Sequence, residues 1–313
     1  MKVLVTGANG FIGQALCKFF CTSGFGLLAA VRQKDNRLLA DYEVVEVGDI
    51  GPQTDWQKAL TGMDTVVHLA GREHILKEHS SNFLMEFRKI NVLGTERLAR
   101  MAAKAGVKRF IFISSVKVNG EGALRSYTEK DIPEPQDAYG ISKREAEDSL
   151  ARIAGETGLK TVFLRPPLVY GPGVKANFKN LMKIAGAGLP LPFKGINNRR
   201  SFLYLGNLVD AIIICISHPL AAGETFLVSD GQDVSTPNLI KMIALAMDKK
   251  AVLFSLHPGI LKALCKIAGK GKEMEKLTGS LLIDSSKIRN LLGWKPPFTL
   301  EEGIKETAKY YKS

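Results

Sequence analysis

Seven residues near the N-terminus restrict this chain more than anything else in it: Gly7-Ala8-Asn9-Gly10-Phe11-Ile12-Gly13. Residues 2–5, just before them, are an apolar run of strand length. Residues 14–22, just after, place Leu16, Phe19 and Phe20 at helical spacing. Three glycines between a strand and a helix let the chain turn tightly and bring backbone N–H groups against a bound group, with the positive end of the helix dipole facing it. That arrangement suits a pyrophosphate. The loop therefore predicts a dinucleotide site, and with it a sheet whose carboxyl ends carry the ligand.

The alternation continues. Apolar runs at 26–31, 44–47, 65–69, 109–114 and 160–165 predict strands, and amphipathic stretches at 56–60, 83–105 and 138–157 predict helices. Strands alternating with helices imply an α/β protein with a doubly wound parallel sheet covered on both faces. After Pro166 the pattern changes, because Gly and Pro cluster at 166–173 and 186–195. The run 225–229 predicts one more buried strand that rejoins the main sheet. From 236 the pattern is mostly helical, ending in a Trp294-Lys295-Pro296-Pro297 turn and a helix from 299. The expected division is a dinucleotide-binding domain over 1–167, rejoined by about 203–231, and a smaller interleaved substrate domain over 168–202 and 232–313.

Composition narrows the function classes. With 45% hydrophobic and 24% charged residues the chain is neither disordered nor collagenous. The longest apolar candidate for a membrane span, 211–217, is far too short, and glycines interrupt the place where a secretory signal would be apolar. Cys17, Cys21, Cys215 and Cys265 form no CxxC pair and read as reduced thiols of a cytoplasmic protein. His68, His74, His79, His218 and His257 lack metal-ligand pairing, so no metal is expected, and His68 reads as a satisfied loop or core residue. The net charge, 43 − 31 = +12, admits nucleic acid, an acidic membrane surface or phosphorylated small molecules as partners. The patch Arg97, Arg100, Lys104, Lys108 and Arg109 reads as a solvated helix face. Residues 259–268, apolar on one side and basic on the other, read as a helix over a cleft, with a membrane-surface or partner-binding role as the competing reading.

Two further places carry chemistry. An acid at the end of the second strand accepts from the adenosine ribose of NAD, whereas an arginine accommodates the 2′-phosphate of NADP. Here Arg32 follows Ala29-Ala30-Val31, with Lys34 and Arg37 near enough to assist, which favours NADP. In Tyr139-Gly140-Ile141-Ser142-Lys143 the Tyr and Lys are four apart and share one helix face. The ammonium is expected to lower the phenol's pKa towards neutrality, making it a general acid/base for a sugar or alcohol oxygen during hydride transfer. Ser114 and Ser115 end a buried strand at the sheet edge where ligands bind, and either hydroxyl could hold the reacting oxygen.

Taken with Gly48-Asp49-Ile50, His68-Leu69-Ala70-Gly71 and Asn91-Val92-Leu93-Gly94-Thr95, these motifs resemble the extended short-chain dehydrogenase/reductase family. The resemblance is closest to its NAD-dependent nucleotide-sugar epimerase/dehydratase branch, of the UDP-glucose 4-epimerase type. It continues through Arg165-Pro166-Pro167-Leu168-Val169-Tyr170-Gly171-Pro172-Gly173, the run 200–211 and Leu291-Leu292-Gly293-Trp294-Lys295-Pro296, and so covers nearly the whole chain in order. It implies a Rossmann fold. Gly7, Gly10, Phe11, Ile12 and Gly13 would hold the cofactor phosphates, Asp49 and Ile50 flank the adenine, and Leu69 and Ala70 pass beneath the ribose. Asn91 and Pro166 would also belong to the cofactor site, Pro166 beside the nicotinamide. Tyr139 would be the acid/base, Lys143 would bond the nicotinamide ribose, and Ser115, counted back from Gly120, would be the active-site serine. Asn177, Phe178 and Arg200 would contact a UDP-sugar, Arg200 at its diphosphate.

The chain departs from that pattern at several points. Asn119-Gly120 replaces the usual Tyr-Gly, Asn207-Leu208 replaces Asp-Leu, and only Lys276 stands where a second phosphate-binding arginine is expected. Arg32 is the departure that bears on the cofactor. The expected reaction is therefore NADPH-dependent 4-ketoreduction or dehydrogenation at C4 of a UDP-hexose or UDP-N-acetylhexosamine. A UDP-sugar 4-epimerase with retained NAD is the alternative, and a non-catalytic dinucleotide-sensing or RNA-binding module the third reading. The family also implies a homodimer through the helices at 83–105 and 138–157, and surface-polysaccharide precursor synthesis; nucleic acid is not an expected partner.

Overall fold

In the computed structural model, described over residues 1–312 apart from 35–41, 74–82, 123–124, 257–258 and 261–270, the chain begins with strand β1 (Lys2–Thr6), whose Val3, Leu4 and Val5 are wholly buried. Arg37, His74, His79, His257, Cys265 and nearly all of 259–268 lie outside the described residues, as do the side chains of Asn177 and Lys276. Helix α1 (Phe11–Cys21) follows, then β2 (Gly26–Val31), β3 (Glu43–Glu46), α2 (Gln57–Leu60) and β4 (Thr65–His68). Next come α3 (Phe83–Phe87), a π-helical segment (Arg88–Gly94), α4 (Thr95–Lys104), β5 (Arg109–Ile113) and a 3-10 turn (Val116–Val118). Helix α5 (Ala138–Thr157), β6 (Lys160–Arg165), β7 (Leu168–Tyr170), α6 (Ala176–Gly186), β8 (Pro190–Leu191) and β9 (Phe202–Tyr204) continue the chain. It ends through α7 (Leu205–Ser217), β10 (Thr225–Leu227), α8 (Thr236–Ala246), β11 (Val252–Leu253) and helices Gly271–Thr278, Ser286–Leu292 and Leu300–Lys312.

Seven strands form the main sheet in the order β10-β6-β5-β4-β1-β2-β3, every neighbouring pair parallel. Helices cover both faces. Leu16, Cys17 and Phe20 of α1 and Leu208, Ile212 and Cys215 of α7 pack on one side. Trp56, Leu98 and Ala102 beside α2 and α4, with Ala146, Leu150 and Ile153 of α5, pack on the other. The strand order reverses between β1 and β4, where Thr6 lies beside both Ala30 and His68, and such a reversal opens a crevice at the carboxyl ends of the strands. A third apolar cluster, with Tyr170, Phe178, Phe202, Ile240 and Ile304, joins β7, α6, β9, α8 and the last helix.

The stretch 83–105, read as one helix, is broken. A π-helical segment separates α3 from α4. Both sides of that segment are tied by tertiary contacts. Asn91 is fixed to the backbone of Arg72, and Gly94 lies so close to Ile50 that a Cβ there would be 2.6 Å from its methyl carbon. The wider turn lets residues on adjacent turns meet both neighbours, and such bulges recur at functional sites.

Candidate active site

The glycine loop closes on the end of β4. Gly7 has φ +67°, and a Cβ on it would stand 2.9 Å from the Ala70 nitrogen. A Cβ on Gly13 would stand 2.2 Å from the Gly7 carbonyl oxygen, so the first turn of α1 passes directly under the loop. Gly10 caps α1 without a side-chain hydrogen bond, and its first turn carries no acid. The N–H groups there and the dipole behind them suit an anion, and the missing side chains leave the close approach a pyrophosphate needs.

At the neighbouring strand end, Ala70 N–H donates to Thr6 Oγ1 at 3.2 Å. His68 joins that hydroxyl to Thr95, with Nδ1 2.7 Å from Thr6 Oγ1 and Nε2 2.9 Å from Thr95 Oγ1. Burial, with Lys143 adding to it, pushes the imidazole down to about 3, so it stays neutral and fixes the β1–β4 edge. Asn91 serves the same edge. Its Oδ1 accepts from Arg72 N–H at 2.8 Å, and its Nδ2 donates to Arg72 O and Ser142 Oγ, both at 3.0 Å. These bonds make it a brace between the β4 end and α5.

Helix α5 presents Tyr139 and Lys143. Asp137 caps it, accepting from Gly140 N–H at 2.7 Å, a contact that contributes about 1 kcal/mol. Gly140 is required because a Cβ would meet the Lys117 carbonyl oxygen at 2.8 Å. Lys143, 5% exposed, donates from Nζ to the Ile113 carbonyl at 2.8 Å and sits 5.9 Å from the centre of the Tyr139 ring. Tyr139 packs edge-on to Phe87. Ser115 begins the 3-10 turn, its Oγ accepting from Lys117 N–H at 3.3 Å, and Pro166 at the end of β6 accepts from Val116 N–H at 3.0 Å. Ser114 Oγ is buried with no protein partner among the described residues.

The electrostatics correct one expectation. Tyr139 is held above the usual phenol range, first by burial and then by the charges of Glu73 and Asp137. Lys143 is the group that moves towards neutrality, pushed down to about 8 by burial against the opposing pull of Glu73 and Glu147. The reason is desolvation: a phenolate in this enclosed place loses more hydration than one ammonium at that distance restores.

The other expected site residues are spread along the crevice and beyond it. Arg32 and Asp49 face each other across the ends of β2 and β3 at 3.8 Å, with side chains 76% and 89% exposed. Arg200 Nη1 donates to the Gly279 carbonyl at 2.9 Å, and burial lowers its pKa against the charge of Glu121. The Phe178 ring does not line the crevice. It is 1% exposed and stacked on Tyr170 at 5.0 Å between centres, so it belongs to the core of the third apolar cluster. The two substituted family positions have local reasons. Asn119 Oδ1 accepts from Arg165 at 3.1 Å, and Asn207 Nδ2 donates to Asp230 Oδ1 at 2.7 Å, where an aspartate would set two carboxylates together. Among the described residues no group of His, Cys, Asp and Glu could hold a metal ion, and no helix is long and apolar enough to cross a membrane.

Residues 3–229 match the model of the NAD-dependent epimerase/dehydratase family. The chain belongs to that family. This epimerase/dehydratase-family enzyme is 44% identical to a UDP-glucose 4-epimerase of Vibrio cholerae over 99% of its own length and 95% of that protein's. Its fold is similar to that of MoeE5 solved with UDP-glucose and NAD (TM-score 0.79, 25% identity, 100% and 99% of the two chains). It is also similar to the UDP-glucose 4-epimerase of Thermotoga maritima solved with UDP-glucose (TM-score 0.78, 26% identity, 100% and 99%). The expected order of functions changes accordingly, since these relatives support the epimerase alternative over the ketoreductase. Sequence reading of this family member overlooked Glu73, Lys117 and the buried Glu147–Arg165 pair. Only Glu73 carried a signal, standing close after a strand end at the ligand-bearing edge.

Proposed function

We propose that this protein is a UDP-sugar 4-epimerase. The identity to the Vibrio cholerae 4-epimerase along the entire chain carries the reading, because Ser115, Tyr139 and Lys143 would serve a reductase equally well. A bound nicotinamide dinucleotide supplies the hydride acceptor and donor. The loop Gly7, Gly10, Phe11, Ile12 and Gly13, with Leu69 and Ala70 opposite, would hold its pyrophosphate; Ile50 would meet the adenine and Lys143 the nicotinamide ribose. Tyr139 would take the proton from the C4 hydroxyl and return it, while Ser115 holds that oxygen. Arg200 would bind the diphosphate, and the lobe of 168–202 and 232–313 would hold the nucleotide.

NAD is the better-supported cofactor. MoeE5 holds NAD, and Arg32 stands beside Asp49, whose carboxylate would oppose a 2′-phosphate brought to that guanidinium. The reading includes a cytoplasmic homodimer, supported by Phe83, Met85 and Leu93, which expose 45%, 52% and 45% of their surface beside α5. The test is to release and identify the copurified dinucleotide and to incubate the protein with UDP-galactose without added cofactor. Bound NAD and conversion to UDP-glucose are expected. Turnover of UDP-galactose only with added NADP+, with its net reduction to NADPH as the C4 alcohol becomes a ketone, would return the dehydrogenase/reductase reading.

A further inference from the structure

An ion cluster lies between the serine and the tyrosine that the acid–base residues do not account for. Lys117 sits in the 3-10 turn two residues after Ser115. Its Nζ donates to Glu121 Oε1 at 2.7 Å and to the Asp137 carboxylate. Asp137 is at the same time the cap of α5, two residues before Tyr139. Backbone contact ties the turn to the helix, since Gly140 has no room for a Cβ against the Lys117 carbonyl. On the far side, Gly122 approaches Ser280 equally closely, a Cβ there standing 2.8 Å from the Ser280 oxygen. Glu121 is thereby placed in the field of Arg200, whose guanidinium is bonded to Gly279.

We infer that Lys117 is a positioning residue for Tyr139: it holds the Asp137 carboxylate in its capping geometry, two residues before Tyr139, and offsets that carboxylate's charge. This rests on Tyr139 being the acid/base. The charged groups that bear on the phenol are Glu73 from the segment after β4, Asp137 at the start of α5 and Lys143 within it. Lys117 and Glu121, from the turn after β5, act through Asp137, and Phe87 of α3 brings no charge. Asp137 and Glu73 both oppose ionisation of the phenol. Lys117 opposes Asp137 in turn, and its own pKa is raised by that partner and Glu121 against the cost of burial, so it stays charged through the assay range. Without Lys117, Asp137 acts at full charge, the phenolate becomes harder to form, and a step that needs phenolate requires higher pH.

The test is the pH profile of kcat and KM for UDP-galactose turnover in the holoenzyme. Lys117→Met is expected to move the acidic limb of kcat up by about one unit, a loss of about tenfold on that limb, with KM changed by less than about threefold. Lys117→Arg should restore the limb, and the pair Lys117→Met with Asp137→Asn should bring it back, since asparagine still caps a helix. A loss that falls on KM and not on kcat, or one that persists in Lys117→Arg or in the double variant, overturns the inference. Asp137→Asn alone keeps the test open should Lys117→Met fail to fold, because it should move the limb down; an unmoved limb overturns the inference as well. Turnover surviving Tyr139→Phe would instead reject the acid–base reading on which it rests.

Discussion

Replacing Glu147 with alanine should cost this protein about 3–5 kcal/mol of stability. Glu147 and Arg165 are bound in parallel, Nε to Oε1 at 2.9 Å and Nη2 to Oε2, with side chains 3% and 5% exposed. Two charge-assisted bonds at about 1.5–3 kcal/mol net each sum to about 3–6 kcal/mol, which spans that range. Alanine leaves the guanidinium buried with Asn119 as its remaining side-chain acceptor, and an amide carries no opposing charge. At about 2 °C per kcal/mol for a chain of this size, the melting temperature should fall by about 6–10 °C. The control is Glu147→Leu with Arg165→Met, which removes both charges and should recover most of the loss, because replacing a buried pair by apolar groups is often neutral. Differential scanning fluorimetry at several protein concentrations reads both. Equal losses in the single and double variants would refute the argument, for the cost would then lie in packing and not in a stranded charge.

Three other outcomes follow from the site. Tyr139→Phe should lower turnover by about 10²–10⁴ while the dinucleotide still copurifies, which absorbance of the denatured extract will show. Gly13→Ala should lose bound dinucleotide before it loses fold, since its Cβ would stand 2.2 Å from the Gly7 oxygen; circular dichroism and cofactor content separate the two. Lys143→Met should abolish turnover yet raise stability. An ammonium whose pKa falls to about 8 on burial costs the fold at and below that pH, and the cost fades as pH rises towards the unfolded value of about 10.4. The gain in melting temperature should therefore be greatest below pH 8 and shrink at pH 10; a constant gain would point to packing alone.

Much of this was legible in the residues. The expected bounds of β2, α5 and β6 coincide with the observed ones, because each is a single apolar or amphipathic run closed by a turn signal such as Gly158 at φ +78°. The glycine loop and the shared face of Tyr139 and Lys143 follow from local spacing too. What local spacing could not supply was contact between distant segments. The π-helical break depends on Arg72 and Ile50, the raised phenol on Glu73, and the role of Asn119 on Arg165, 46 positions away. Phe178 shows the same limit in the opposite direction, since a motif position cannot tell whether a ring faces a crevice or the Tyr170 ring behind it.

The return of β10 to the edge of β6 bears on how this molecule could be engineered. Between those strands the chain passes out to β7 and β9 and back along α7, whose Leu208 and Ile212 cover the same sheet face as α1. A fragment stopped after Pro167 would lose that cover and leave β6 as a naked edge, ready to pair with another chain. No N-terminal piece that stops short of β10 can thus be transplanted as a self-sufficient cofactor module. On the proposed assignment of the substrate to 168–202 and 232–313, specificity would be exchanged by grafting those two segments into an otherwise intact sheet.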